Sequence, residues 1–97
     1  MTPLTDLVRS HIETIFPPDI RDEVAAVLAE KCGANLPLMS GGAPEDFDRV
    51  RCAVLKLSCG NFVRLLAAVA DANTDWRDTL MAAGFGHDVR AHERWTP

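Results

Sequence analysis

Apolar residues recur every three or four positions along almost the whole chain, and this spacing predicts α-helices. The first stripe, which falls on one arc at about 100° per residue, consists of Leu4, Leu7, Val8, Ile12 and Ile15. No segment shows the sustained alternation of apolar and polar residues that is typical of a half-buried strand. The sequence therefore predicts an all-α fold.

Prolines and glycines divide this pattern into separate helices. Pro17 and Pro18 end the first helix, Gly33 ends the second, Gly60 ends the third and Gly84 ends the fifth. The sequence predicts helices from Leu4 to about Phe16, from Pro18 or Asp19 to Lys31, from about Pro44 to Ser58, from Phe62 to about Ala72, and from Thr74 or Asp75 to Ala83. A weak sixth turn runs from His87 to about Trp95. We expect a single domain of 97 residues, folded as a compact bundle or orthogonal array of five helices plus a short C-terminal sixth.

Residues 33–44 form the one long stretch without a helical period. Its glycines and prolines forbid a continuous helix, yet it is apolar through Leu36, Leu38 and Met39. A free linker would be polar, so we expect an ordered apolar loop that lies on the bundle.

The fourth predicted helix is apolar on nearly every side. Arg64 and Asp71 are its only charged residues, and they share one narrow face. A helix of this kind is usually buried on most sides. We therefore expect it to be the central helix, with Leu65, Leu66 and Val69 nearly fully buried.

The charge balance bears on possible partners. The net charge of −4 argues against a nucleic-acid partner, because such proteins normally carry a basic surplus. The longest strongly apolar run, residues 65–70, is far short of the roughly 20 residues that cross a bilayer. Asp6 and Arg9 interrupt the first apolar stretch, which is unlike a signal peptide. We expect neither a nucleic-acid nor a membrane partner.

The chain has an odd number of cysteines, namely Cys32, Cys52 and Cys59, and no two of them have the CxxC spacing of a cysteine zinc site. They predict three reduced thiols and hence a cytoplasmic protein. Arginine far outnumbers lysine and alanine is abundant, a composition typical of GC-rich bacterial genomes.

His11 is the most informative polar residue, because it lies in the middle of the first apolar arc. Such a histidine can be a ligand or catalytic residue in a pocket, part of a self-association face, or a buried imidazole bonded to a carbonyl or carboxylate. Cys59 lies near the start of the fourth predicted helix, where the pKa of a thiol can fall. A nucleophile there would still need a base close by in space.

The remaining polar clusters favour structural interpretations. Asp75 and Asp78 lie in the first turn of the fifth predicted helix, where acids are favoured as caps. His87 and His92 are five residues apart, which places them on different faces of a helix and disfavours a metal site. The segment of residues 40–42 contains two glycines, but no lysine follows them as it does in a phosphate-binding loop. We expect no catalytic residues, no metal and no cofactor.

The last quarter of the chain holds half of its aromatic residues, namely Trp76, Phe85 and Trp95. A tryptophan left in water near a terminus would be an unusual exposed apolar group. We expect Trp95 to dock, preferably on its own chain, against the first helix or the loop around residues 36–39.

These features favour a small non-catalytic helical module for protein interaction or regulation, with self-association as one form of that interaction. Its candidate interaction or pocket residues are His11, Leu36, Leu38, Met39 and Trp95. The alternative is a small enzyme or ligand-binding domain that uses His11 or Cys59. A weaker alternative is a helix-turn-helix DNA binder, which would need a polar, basic outer face on its recognition helix.

Overall fold

Helices account for most of the chain. A computed structural model describes residues 2–37, Met39 and residues 41–97. Within these ranges lie four α-helices, α1 (Asp6–Ile15), α2 (Arg21–Lys31), α3 (Pro44–Ser58) and α4 (Phe62–Ala82). Two short 3₁₀ helices, Pro18–Ile20 and Ala91–Arg94, precede α2 and close the chain. The described ranges contain no β-strand, which confirms the all-α prediction.

Capping side chains mark the starts of α1 and α4. The Thr5 hydroxyl accepts a hydrogen bond from the Val8 amide at the start of α1. At the start of α4 the Asn61 side chain accepts one from the Arg64 amide, at 3.0 Å. Each of these side chains satisfies an amide that has no partner within the helix.

The predicted number of helices is wrong. Asp75 has φ −155° and ψ 100°, and it is the non-helical residue inside α4, so the predicted fourth and fifth helices are one helix with a kink. The Asp75 carboxylate accepts a hydrogen bond from the Arg77 amide at 3.1 Å, as a cap does at a helix start. The cap therefore marks a kink inside a helix, and the predicted sixth helix is only the 3₁₀ turn Ala91–Arg94.

The central helix is α3, not α4. Nine of its side chains are buried, on several sides of the helix. It packs against α1, α4 and the C-terminal 3₁₀ helix. In α4, Leu65 and Val69 are buried as predicted, but Leu66 is 40% exposed, so its predicted burial is wrong. The apolar composition of α4 does not mean burial on every side, because one of its apolar faces is in contact with solvent.

A buried arginine ties separate parts of the chain to α3. The guanidinium of Arg51 donates hydrogen bonds to the carbonyl oxygens of Thr2 at 2.7 Å, Pro3 at 2.9 Å and Cys32 at 2.8 Å. Arg51 is only 1% exposed, and burial lowers its pKa. Its three carbonyl partners offset the cost of removing the charge from water.

The loop after α2 lies on the bundle, as predicted. Leu36 and Met39 are both buried in the core. The indole nitrogen of Trp76 in α4 donates a hydrogen bond to the Pro37 carbonyl at 2.7 Å, which fixes the loop against that helix. Leu38 lies outside the described residues.

Candidate functional site

Three buried ionisable residues come from different elements. His11 lies in α1, Asp48 in α3 and His92 in the C-terminal 3₁₀ helix, and all three are buried. The Asp48 carboxylate is close enough to both imidazoles to favour their protonated forms. We call these three residues the buried polar cluster.

Hydrogen bonding within the buried polar cluster is incomplete. The Thr5 hydroxyl donates to the Asp48 carboxylate at 2.8 Å. Within the part of the chain that the structure describes, neither Nε2 of His11 nor Nδ1 of His92 has a hydrogen-bond partner. The Nε2 atom of His11 thus lacks the carbonyl or carboxylate partner that a buried imidazole usually finds.

Burial governs the protonation of the cluster. Desolvation lowers the pKa of His11 and of His92 below the usual 6.5. The Asp48 carboxylate offsets only part of this effect at His11, as the Glu93 and Asp48 carboxylates do at His92. The pKa of Asp48 itself is raised, mainly by burial. Both imidazoles are therefore neutral at pH 7, which is the form that can accept a proton.

The C-terminal tail covers His11. The Trp95 ring meets the imidazole of His11 edge-on, with centroids 5.0 Å apart and planes at 61°. The Trp95 ring also contacts the Phe85 ring, and the centroids of these two rings are 6.1 Å apart. The Lys56 ammonium lies 5.0 Å from the centroid of the Phe85 ring. The tail therefore docks on α1 of its own chain, as predicted.

An open cavity of about 440 Å³ lies beside the docked tail. Its lining residues are Thr14, Ile15, Leu55, Lys56, Cys59, Trp95 and Pro97. Cys59 is exposed, and it adopts left-handed backbone geometry (φ 51°) in the turn between α3 and α4. None of these lining residues is a histidine, and the one amine among them, Lys56, donates a hydrogen bond to the Ala83 carbonyl at 2.8 Å. The cavity therefore brings no imidazole base to the Cys59 thiol.

The other two thiols are inaccessible. Cys32 and Cys52 are fully buried, and burial raises the pKa of each to about 12. A thiol with such a pKa is not a nucleophile at neutral pH. Among the described residues, no group of three histidine, cysteine or acidic side chains could hold a metal ion.

The four candidate interaction residues that the structure describes are not brought together at one surface. His11 and Trp95 touch each other, whereas Leu36 and Met39 lie in the core. Met39 also lines a second cavity of about 440 Å³, together with Trp76 and Leu80.

Sequence reasoning did not identify the exposed apolar face of α4. Val63 is 74% exposed and Leu66 40%, and Ala67 and Ala70 are also exposed. These four residues follow the i, i+3, i+4, i+7 spacing of one helix face. We call them the outer face of α4. The mostly apolar sequence of the helix includes these residues, but sequence alone does not show which face of the helix lacks a neighbour.

Sequence reasoning also missed Asp48 and Arg51. Both are charged, yet both are buried in α3. Arg51 lies four residues after Phe47 and three before Val54, on the apolar arc of the helix. A charged residue at such a position is the feature that could have revealed a buried, bonded arginine.

Comparison with protein-family models, with curated proteins and with solved structures finds no match to this chain. None of the described helices is both long and apolar enough to cross a membrane.

Proposed function

We propose that this chain is a small non-catalytic interaction module that binds another protein chain through the outer face of α4. One observation carries the proposal. Val63, Leu66, Ala67 and Ala70 form a continuous apolar stripe in contact with water, although the chain has a separate, well-buried core.

Covering this stripe would be favourable. Burying an exposed valine or leucine side chain contributes about 1.5–3 kcal/mol when the burial is complete. Arg64, Asp71 and Asn73 border the stripe and are exposed. An apolar centre with a polar rim is the usual anatomy of a protein interface.

Other features of the chain fit a protein partner better than catalysis or DNA binding. Trp95 covers His11, and the exposed Cys59 thiol borders a cavity that no histidine lines. The chain carries a net charge of −4, and Arg64 is the only base on the exposed side of α4 before the kink, which disfavours a phosphate backbone as partner. The three free cysteines fit the reducing cytoplasm.

Site-specific photo-crosslinking tests the proposal. A benzophenone amino acid is placed at position 67, on the outer face of α4, and as a control at position 26, which is exposed on α2. In cells that produce the protein, we expect a discrete protein adduct from position 67 and none from position 26. The adduct should disappear when Leu66→Glu is added. Equal adducts from both positions, or none from position 67, would contradict the proposal.

A ligand-binding function has one observation in its favour, the cavity of about 440 Å³ between Cys59 and Trp95. A volume of this size suits a small organic molecule. A bound ligand should protect Cys59 from alkylation and change the fluorescence of Trp95 in a Trp76→Phe background. A fragment library that contains no compound with both effects would count against this second candidate.

A further inference from the structure

The outer face of α4 is flanked by one basic and one acidic residue on the same side. Arg64 and Asp71 are seven residues apart, so two turns of helix bring them to the same flank. Both are exposed, and the ion pairs found in the described part of the chain involve neither of them. Their charges are therefore available to a partner.

This arrangement is complementary to itself when two copies of α4 run antiparallel. A two-fold axis near Ala67 sets position 64 of one helix opposite position 71 of the other, and the symmetry repeats the pair. The same axis brings Val63 to within two residues' rise, about 3 Å, of the level of Ala70 of the second copy. A parallel two-fold pair would instead place the two charged flanks on opposite sides of the contact, where Arg64 and Asp71 cannot reach each other.

We propose that the outer face of α4 binds the same face of a second copy, as an antiparallel helix pair with reciprocal contacts between Arg64 and Asp71. This inference rests on the proposed function and names the partner for that surface. Ala67 lies at the middle of the contact, and a small side chain there allows the helix axes to approach to about 8 Å.

The expected dimer is weak. The stripe spans residues 63–70, which is roughly 12 Å of helix at 1.5 Å per residue. A contact of that length buries far less than the roughly 800 Å² per partner of a standard stable interface. We therefore expect a reversible dimer with a Kd on the order of 100 µM, at the weak end of protein association.

Sedimentation of the purified chain at concentrations from about 10 µM to about 1 mM tests the pairing over the range in which such a dimer forms. Arg64→Asp and Asp71→Arg each replace two attractive contacts by two repulsive ones and should weaken the dimer about tenfold. The double variant restores opposite charges and should return the Kd to within about threefold of the wild type. Arg9→Asp, an exposed charge reversal on α1, controls for net charge and should leave the Kd unchanged.

Disulfide trapping tests the direction of the helices. In a Cys59→Ser background, Val63→Cys and Ala70→Cys chains are mixed and oxidised. The antiparallel pair should give the mixed dimer in preference to either homodimer. Preferential homodimers would indicate a parallel pair and overturn the proposal.

The outcomes separate this inference from the proposed function. A purified chain that remains monomeric at about 1 mM, or a dimer that tolerates Arg64→Asp, overturns the self-association. If position 67 then still crosslinks to a protein of different mass, the proposed interaction function stands while this inference fails. If position 67 gives no adduct at all, both fail.

Discussion

The indole of Trp95 meets the imidazole of His11 edge to face, with ring centroids 5.0 Å apart. This contact holds the C-terminal tail on α1. Trp95→Ala should lower the free energy of unfolding by about 1–3 kcal/mol, less than for a fully buried tryptophan because Trp95 is only half-buried. Urea denaturation measures the change, with the exposed Arg90→Ala as the control. An unchanged urea midpoint in Trp95→Ala would show that the tail contributes nothing to stability.

Leu65 and Leu66 provide a matched pair on α4. Leu65 is fully buried, whereas Leu66 is 40% exposed on the outer face. Leu65→Ala should cost about 2–5 kcal/mol of unfolding free energy, and Leu66→Ala less than about 1 kcal/mol. Thermal denaturation measures both losses, and a low protein concentration keeps the chain monomeric during the comparison. Equal losses in the two variants would contradict the burial pattern.

Acid should destabilise the fold through the two buried histidines. The pKa of each is lowered below the usual 6.5 by burial, so the unfolded chain takes up protons at a higher pH than the folded chain does. Stability should therefore fall as the pH falls through 6.5, and it should level off below the folded-state pKa values. Asp48 has a raised pKa, so its protonation near and above 3.8 acts in the opposite direction at lower pH.

His11→Phe isolates one part of this effect. The variant keeps a ring against Trp95 but removes one titrating group, so the loss of stability between about pH 7 and about pH 5 should be roughly halved. His87→Asn, at an exposed histidine, is the matched control variant. Denaturant midpoints at several pH values give the comparison. A pH profile identical to that of the wild type would exclude His11 as a contributor.

Only one of the three thiols should react with a reagent in the folded protein. Cys59 is exposed, whereas burial raises the pKa of Cys32 and of Cys52 to about 12. Iodoacetamide at neutral pH should add a single group, lost in Cys59→Ser, and three groups after denaturation. Intact mass spectrometry counts the adducts. Rapid labelling of Cys52 in the native state would contradict its burial in α3.

Local patterns carried most of the fold prediction. The third helix was expected over residues 44–58 and is found as Pro44–Ser58, because proline at its start and Gly60 after its end mark both boundaries. The apolar loop and the docked tail were also anticipated, since Leu36, Met39 and Trp95 had to leave water. These predictions depend on the preferences of short segments and of single side chains.

The arrangement of the helices was not available from such patterns. Leu65 and Leu66 are the same residue type with nearly the same surroundings in sequence, and the packing of α4 against its neighbouring helices decides which of them is covered. The burial of Asp48 depends likewise on Thr5, more than 40 residues away. Asp75 was correctly placed as a cap, but whether a cap separates two helices or kinks one depends on the packing around it.

The hydrogen bonds of Arg51 bear on the order of events in folding. Its partners Thr2 and Pro3 are 49 and 48 residues away along the chain. Contacts between such distant residues require the closure of a long loop, which lowers the conformational entropy of the chain, whereas each helix can form locally. We expect these bonds to be absent from the folding transition state, so Arg51→Met should accelerate unfolding and leave the folding rate nearly unchanged. Stopped-flow measurements of the two rates decide this, and a slower folding rate would place the attachment of the N-terminal segment early. On this expectation the Arg51 hydrogen bonds form last in folding, and they slow the unfolding of the native chain.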